Sequence, residues 1–324
     1  MAMTASPAAV GQRRQTISDL PVQHARDPKS PAESRARFFN PGNAFDIQLP
    51  AVPDHIFTAE PARAGDPATP TGLIACDLSR EMACEFPATS PLMLARYGRI
   101  RSGETLHTAF VASGVICYVI QGEGSTAGRP GHIDWHAGDV FILPGGEPFA
   151  HAARTDAVLW MVTNEPQLAF EALRAPVEGA APTDLVHYTA DEIARQLKLL
   201  QDVGRDESTA GTAVLFSSDR QEAHRNVMPT LTLAMNALPP GTSQRAHKHN
   251  AAAVMLLIQG QGCHSLMDGK RKDWVTGATT VTPPTRVHSH HNDGDRQALF
   301  LVVQDGGLFY HLRAMGFSFA EQPE

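Results

Sequence analysis

The chain repeats itself, and the repeat fixes what it can fold into. Residues 95–124 (ARYGRIRSGETLHTAFVASGVICYVIQGEG) lie over residues 233–262 (LAMNALPPGTSQRAHKHNAAAVMLLIQGQG) at a constant offset of 138, with Gly103 on Gly241, Gly122 on Gly260 and Gly124 on Gly262. After one inserted residue, Trp135 falls on Trp274, Gly138 on Gly277 and Pro144 on Pro283. A register held that far means one folding unit present twice. The glycines of QGEG and QGQG mark tight turns between strands, where positive φ is cheap only for glycine. Glycine and proline are frequent (26 and 24 residues), and the apolar runs are short and rich in β-branched residues. Both features favour an all-β protein with many turns, in which the duplicated unit appears as two barrels of antiparallel strands.

The expected organisation is an N-terminal arm over 1–70, partly disordered; a first barrel over 71–166; a helical linker over 167–210; and a second barrel over 211–324. In the linker, Gln167 to Leu173 and Asp191 to Leu200 read as helices. Ile193, Leu197 and Leu200 recur at helical spacing, and Asp191 and Glu192 favour the first turn. The first thirty or so residues lack the periodicity to order, whereas RFFNPGNAFDIQLP is aromatic enough to dock as an arm.

A net charge of −7 and the absence of a Lys/Arg block large enough to track phosphates argue against nucleic acid as a partner. No apolar run is long enough to span a bilayer, and the N-terminus has no apolar core of signal-peptide length. The four cysteines, Cys76, Cys84, Cys117 and Cys263, have no CxxC spacing, which fits free thiols in a cytoplasmic protein.

The chemistry gathers in the second copy. His247 and His249 are two apart, so on a strand both leave the same face. His288 follows a Pro-Pro turn and must come from another strand. Two imidazoles from one strand and a third from a neighbour can close on one divalent metal. His290 shares the face of His288 and is the expected catalytic group, as general acid/base or oxyanion stabiliser. His291 points away, and Asn292 fixes the turn.

These residues resemble the two motifs of the cupin superfamily. Gly241, His247, His249 and Gly260 match the first, with Ala253 where the motif has a glutamate ligand. Gly277, Pro283, His288 and Asn292 match the second, with Thr285 where it has glycine. The resemblance implies two tandem cupin domains, each a jelly-roll β-barrel of antiparallel strands. Three neutral imidazoles without a carboxylate leave the metal its full charge and about three open positions. In the first copy the ligand slots fall on Ala109, Val111, Val115 and Phe149, so that barrel is expected to be metal-free and filled. His107 and His151 stand off the ligand positions and are expected in surface or interface roles.

Among bicupins the chain is similar to gentisate- and salicylate-type (including nitrosalicylate-type) ring-cleaving dioxygenases, over roughly residues 90 to 317. What this implies is a non-haem, extradiol-type reaction needing a redox metal, Fe(II), since zinc cannot pass electrons. The substrate, a hydroxybenzoate, would chelate the metal, and O2 would enter between the carboxylated and hydroxylated ring carbons. Gentisate-type enzymes carry an arginine six residues beyond the second motif histidine; Met255 stands there. The carboxylate would then be held by Arg245 or Arg286, which share the faces of His247 and His288, with Arg225 and Arg313 as further options. Gln304 and Asp305 are candidates around the substrate. The competing readings are a Mn(II)-dependent bicupin hydrolase or isomerase resembling ureidoglycine aminohydrolase, and a non-catalytic small-molecule-binding cupin. A homo-oligomer is expected in every case.

Overall fold

The computed structural model describes residues 16–204 and 209–320. Two compact units divide at Leu49/Pro50. The first contains a two-stranded antiparallel pair, Gln23–His24 with Arg37–Phe38, and a short helix, Pro31–Ser34, whose N-terminus is capped by Ser30. The expectation of disorder falls in part on residues 1–15, which lie outside the described residues; residues 16–30 carry a 3-10 turn and a strand. Phe38, Phe39, Phe45, Ile47 and Leu49 are exposed.

The second unit holds two sandwich-like barrels of antiparallel strands. In the first, a six-stranded sheet runs Val186–Tyr188, Val140–Pro144, Gly114–Gln121, Ala157–Thr163, Leu94–Ile100, Gly72–Ala75. It faces a four-stranded sheet running Thr105–Thr108, Phe149–Ala153, Glu123–Gly128, Gly131–His136. In the second, the six-stranded sheet runs Thr212–Leu215, Thr232–Leu238, Ala298–Gln304, Ala253–Gln259, Thr279–Thr282, Ile56–Phe57. Its five-stranded partner runs Lys270–Asp273, Cys263–Met267, His288–Asn292, His247–His249, Phe317–Phe319.

Two of these pairings differ from the sequence expectation. Ile56–Phe57 was assigned to the arm, yet it pairs with Thr279 and Thr280 and buries Phe57. The stretch 167–210 contains helices Glu165–Phe170 and Ala190–Val203, but also the strand Val186–Tyr188, which edges the first barrel. A two- or three-residue strand gives no alternation to read, so neither pairing shows in the sequence.

The longer central strands are apolar along most of their length because both of their faces are covered there. In Gly114–Gln121, Ile116 and Tyr118 face the core shared by the two six-stranded sheets, while Val115, Cys117 and Val119 fill the first barrel. In Ala253–Gln259, Val254 and Leu256 join that shared core, and Ala253, Met255 and Leu257 line the second barrel. The shared core is pinned by polar contacts: the Tyr97 hydroxyl donates to the Gly277 carbonyl at 2.6 Å, and Trp160 Nε1 donates to Thr279 Oγ1 at 2.9 Å.

The repeat glycines divide into two roles. Gly122 and Gly262 have positive φ, +89° and +77°. Gly124 and Gly260 make room for the indoles: a Cβ would meet Trp135 at 2.5 Å or Trp274 at 2.4 Å.

The first barrel is filled by Trp135, Phe141, Leu143, Phe149, Leu159 and Met161. The slots expected there need one correction. Phe149 pairs with Thr108, as His288 pairs with His247, so the counterpart of His247 is Thr108 rather than Ala109. Ala109 and Val111 are exposed and take no part in the filling. His151 is likewise corrected. It is fully buried, with its ring nitrogens 2.8 Å from Thr126 Oγ1 and 3.0 Å from Thr108 Oγ1. A histidine that alternates inward with Phe149 belongs to the barrel interior.

Candidate metal centre

His247–His249 is an edge-to-edge neighbour of His288–Asn292, and the register sets His247 directly against His288. His249 leaves the same face two residues on. The three rings converge: centroids are 4.3 Å apart for His247 and His288, 4.8 Å for His249 and His288, and 5.9 Å for His247 and His249. One nitrogen from each lies within 4.8 Å of the other two, and all three side chains are buried.

Each ring is oriented by a main-chain carbonyl. Nδ1 of His247 donates to Arg245 O at 2.8 Å, Nδ1 of His249 to Ala251 O at 2.8 Å, and Nδ1 of His288 to Arg286 O at 2.9 Å. With the proton on Nδ1, the lone pair is on Nε2 and turns inward, the arrangement that metal-ligating histidines use. Burial holds all three below the usual histidine pKa, and for His288, with its two neighbouring imidazoles adding to burial, down to about 3. At neutral pH the set is therefore three uncharged nitrogen donors. They fit a divalent transition metal. Ala253 occupies the carboxylate slot, and no aspartate or glutamate is among the residues lining the cavity.

The triad opens into a cavity of about 150 Å³, lined by apolar Ala253, Met255, Phe300 and Val302 and by amides and hydroxyls, notably Asn236, Gln244, Thr282 and Gln304. Leu215 and Tyr310, both partly exposed, complete the lining. The volume is comparable with the ~150 Å³ cavity that takes up one benzene molecule. Gln304 Nε2 lies 3.2 Å from His249 Nε2, so its amide reaches the triad. His290 lines the same cavity and is buried, flanked by Trp274 and Phe300 at ring distances of 5.7 and 5.1 Å.

Of the residues expected from sequence, the structure thus brings together His247, His249, His288, His290, Met255 and Gln304. It does not bring in the arginines. Arg245 is exposed, its guanidinium 3.9 Å over the Phe319 ring; Arg286 is exposed and paired with Asp268 at 2.9 Å. The argument from alternation fails because the strands begin at His247 and His288, after these residues. Arg225 and Arg313 are exposed as well, and no arginine or lysine is among the residues lining the cavity.

Asp305 stands behind the site. Its carboxylate accepts the amide N–H of Ala252 at 2.8 Å, and burial raises its pKa to about 7. Sequence reasoning missed Asn236, Gln244 and Ser265. It also left Trp274 without a role in the site, whereas the indole N–H donates to Ser265 Oγ, which contacts His290. The recurrence of Trp135 as Trp274 was the available signal.

Comparison with known proteins bears on this arrangement. Residues 235–304 match the cupin domain family. The chain is similar to a gentisate 1,2-dioxygenase of Ralstonia sp, 32% identical over 82 residues, covering 25% of this chain and 23% of that protein. It is also similar to a 5-nitrosalicylic acid 1,2-dioxygenase of Bradyrhizobium sp, 24% identical over 98 residues, covering 30% and 45%. The chain's matched stretch spans about a quarter of the length of the gentisate enzyme. Among solved structures, salicylate 1,2-dioxygenase from Pseudoaminobacter salicylatoxidans with gentisate superposes with a TM-score of 0.69 at 15% identity, over 85% of this chain and 87% of that one. The protein therefore has the bicupin fold of that enzyme. No described helix is long and apolar enough to cross a membrane.

Proposed function

We propose that this protein is a ring-cleaving dioxygenase of the cupin type. Its substrate is a small hydroxybenzoate of the salicylate or gentisate kind, and its metal is Fe(II) held by His247, His249 and His288. The observation that carries the reading is the convergence of three inward-facing Nε2 atoms, without a carboxylate, on a cavity the size of one aromatic ring. A ferrous ion in that triad supplies the Lewis acid and the one-electron chemistry that dioxygen activation needs. The similarity of the chain to a gentisate 1,2-dioxygenase and a 5-nitrosalicylic acid 1,2-dioxygenase supports the same assignment.

The chain's own residues then do the following. Ala253 leaves the positive charge uncancelled, so an ortho-hydroxy carboxylate finds its counter-charge at the triad rather than at a guanidinium. Met255, Phe300 and Val302 present an apolar wall to the ring. Gln304, beside His249, offers an amide N–H to a carboxylate or phenolate oxygen. His290 faces the same space and can hold a hydrogen bond to an oxygen on which negative charge develops. Excluding water from this buried pocket strengthens each of these interactions. The exposed aromatic residues of the arm support assembly into a homo-oligomer, which light scattering would measure.

The test is oxygen uptake by Fe(II)-loaded protein across gentisate, salicylate, its nitro and chloro derivatives, and 1-hydroxy-2-naphthoate. We expect uptake with loss of the aromatic absorbance for at least one single-ring acid, and none for His247→Ala or for the zinc form. Absence of uptake with every acid would overturn the assignment. Oxygen-independent turnover by the Mn(II) form would replace it with the hydrolase.

A further inference from the structure

We propose that Trp274 and Ser265 are positioning residues that lock His290 as an Nε2–H donor, aimed at an acceptor oxygen of the ligand beside the histidine triad. The argument is a proton count. An indole N–H can only donate, and that of Trp274 reaches Ser265 Oγ at 2.8 Å. The same oxygen lies 2.8 Å from His290 Nδ1. Both Ser265 and His290 are buried, and among the described residues these are the only partners of the Ser265 hydroxyl. If Nδ1 carried the ring proton, it would donate to Ser265 and leave the hydroxyl proton buried with no acceptor, a penalty of about 1–3 kcal/mol. In the reverse arrangement Trp274 donates to Ser265, Ser265 donates to Nδ1, and every group in the chain is satisfied. The neutral ring then carries its proton on Nε2.

The first barrel shows where that proton goes when no metal site stands beside it. Trp135 Nε1 donates to Thr126 Oγ1 at 3.0 Å, and Thr126 Oγ1 lies 2.8 Å from His151 Nδ1. The same count puts the His151 proton on Nε2, and there it meets Thr108 Oγ1 at 3.0 Å. Thr108 is the counterpart of His247. In the second barrel the acceptor has therefore been replaced by a residue whose lone pair is committed to the triad. Among the described residues His290 Nε2 has no protein acceptor, and His290 lines the cavity, where a ligand oxygen can supply one.

The inference deepens the dioxygenase reading and rests on it only for the identity of the ligand; its test reads the ring itself. Full-length protein with ¹⁵N-labelled histidine is loaded with Zn(II), which is diamagnetic, and the His290 nitrogens are identified by their loss in His290→Gln. We expect a protonated Nε2 and an unprotonated, hydrogen-bonded Nδ1. Ser265→Thr, which installs the first barrel's residue, should keep that state. Ser265→Ala and Trp274→Phe should give mixed tautomers and weaken salicylate binding to the Zn(II) form, by roughly tenfold for Ser265→Ala, with metal content and melting temperature as controls on the fold. A wild-type ring protonated on Nδ1 would overturn the proposal. So would a folded Ser265→Ala protein with an unchanged tautomer and unchanged affinity. An Nε2–H ring in a protein that consumes oxygen with no acid would sink the dioxygenase and leave this assignment standing.

Discussion

Thr285 donates its backbone N–H to the carbonyl of His249 across 2.7 Å, while its own backbone sits in the left-handed region at φ +66°. The bond ties the turn before His288 to the strand carrying the other two histidines. It is made by a β-branched residue in a conformation that costs a non-glycine residue about 1–2 kcal/mol. The cupin motif has glycine here. Thr285→Gly should keep the bond, relieve the strain and raise stability by about 0.5–1 kcal/mol after the added flexibility of the unfolded chain. Urea unfolding measures it; a destabilised variant would mean the threonine side chain earns its place by packing.

Metal binding should stabilise the fold, because the triad exists only in the folded chain. At a free metal concentration of about 100 times Kd the gain is about 2.7 kcal/mol, visible as a melting temperature that falls on adding a chelator. His249→Ala removes one Nε2 and leaves the Gln304 amide without its partner. The variant should copurify with little metal, and its melting temperature should no longer respond to chelator.

Acid should weaken the first barrel through His151. Burial lowers its pKa from 6.5 to about 4. The folded value is depressed, so the unfolded chain binds the proton more readily. The associated stability is present above pH 6.5 and is lost as pH falls toward 4, up to about 3 kcal/mol. His151→Gln, which can still bond Thr108 and Thr126, should flatten the loss between pH 7 and 4.5 in urea titrations, whether or not metal is present.

Asp305 should act in the opposite sense. Burial raises its pKa from 3.8 to about 7 despite the bond from Ala252. Stability is then fully present below pH 3.8 and is lost as pH rises through 7, by at most about 4 kcal/mol. Asp305→Asn retains an acceptor for Ala252. It should be more stable than the parent at pH 8 and no better at pH 4; equal stability at both would mean the carboxylate is solvated when charged.

The duplication and the triad were legible because each rests on spacing: a repeated register, a period of two, a turn between strands. His247, His249, His288 and His290 are all fixed by that rule. The rule misplaced Arg245 and Arg286 because it was extended past the ends of strands only three and five residues long. It was not applied to His151, which shares the inward face of Phe149 two residues earlier, and it set a slot at Ala109, one residue out from the true pair, Thr108 with Phe149. The pairing of Ile56–Phe57 with Thr279–Thr282 joins residues more than two hundred positions apart through a strand of two residues. No local pattern carries that information. The Trp274–Ser265–His290 chain was half visible, since the tryptophan repeats, but a hydrogen bond to a serine nine residues earlier needs the barrel to bring it round.

Met255 lines the cavity beside the triad. It stands opposite Val302 and Thr280 in the sheet, is buried, and forms part of the wall facing the triad. Met255→Ala removes most of a side chain from the edge of an existing cavity. The cost should be near the lower end of the ~2–5 kcal/mol range for such truncations, because the vacated volume joins space a ligand can fill. If single-ring selectivity comes from this wall, the variant, which loses three heavy atoms, should gain activity toward the two-ring 1-hydroxy-2-naphthoate relative to salicylate by at least about tenfold in the ratio of kcat/KM, the low end of what a single methylene of pocket volume discriminates. An unchanged ratio in a folded, metal-loaded variant would move the size limit to Phe300, the large ring on the facing strand that also packs against His290.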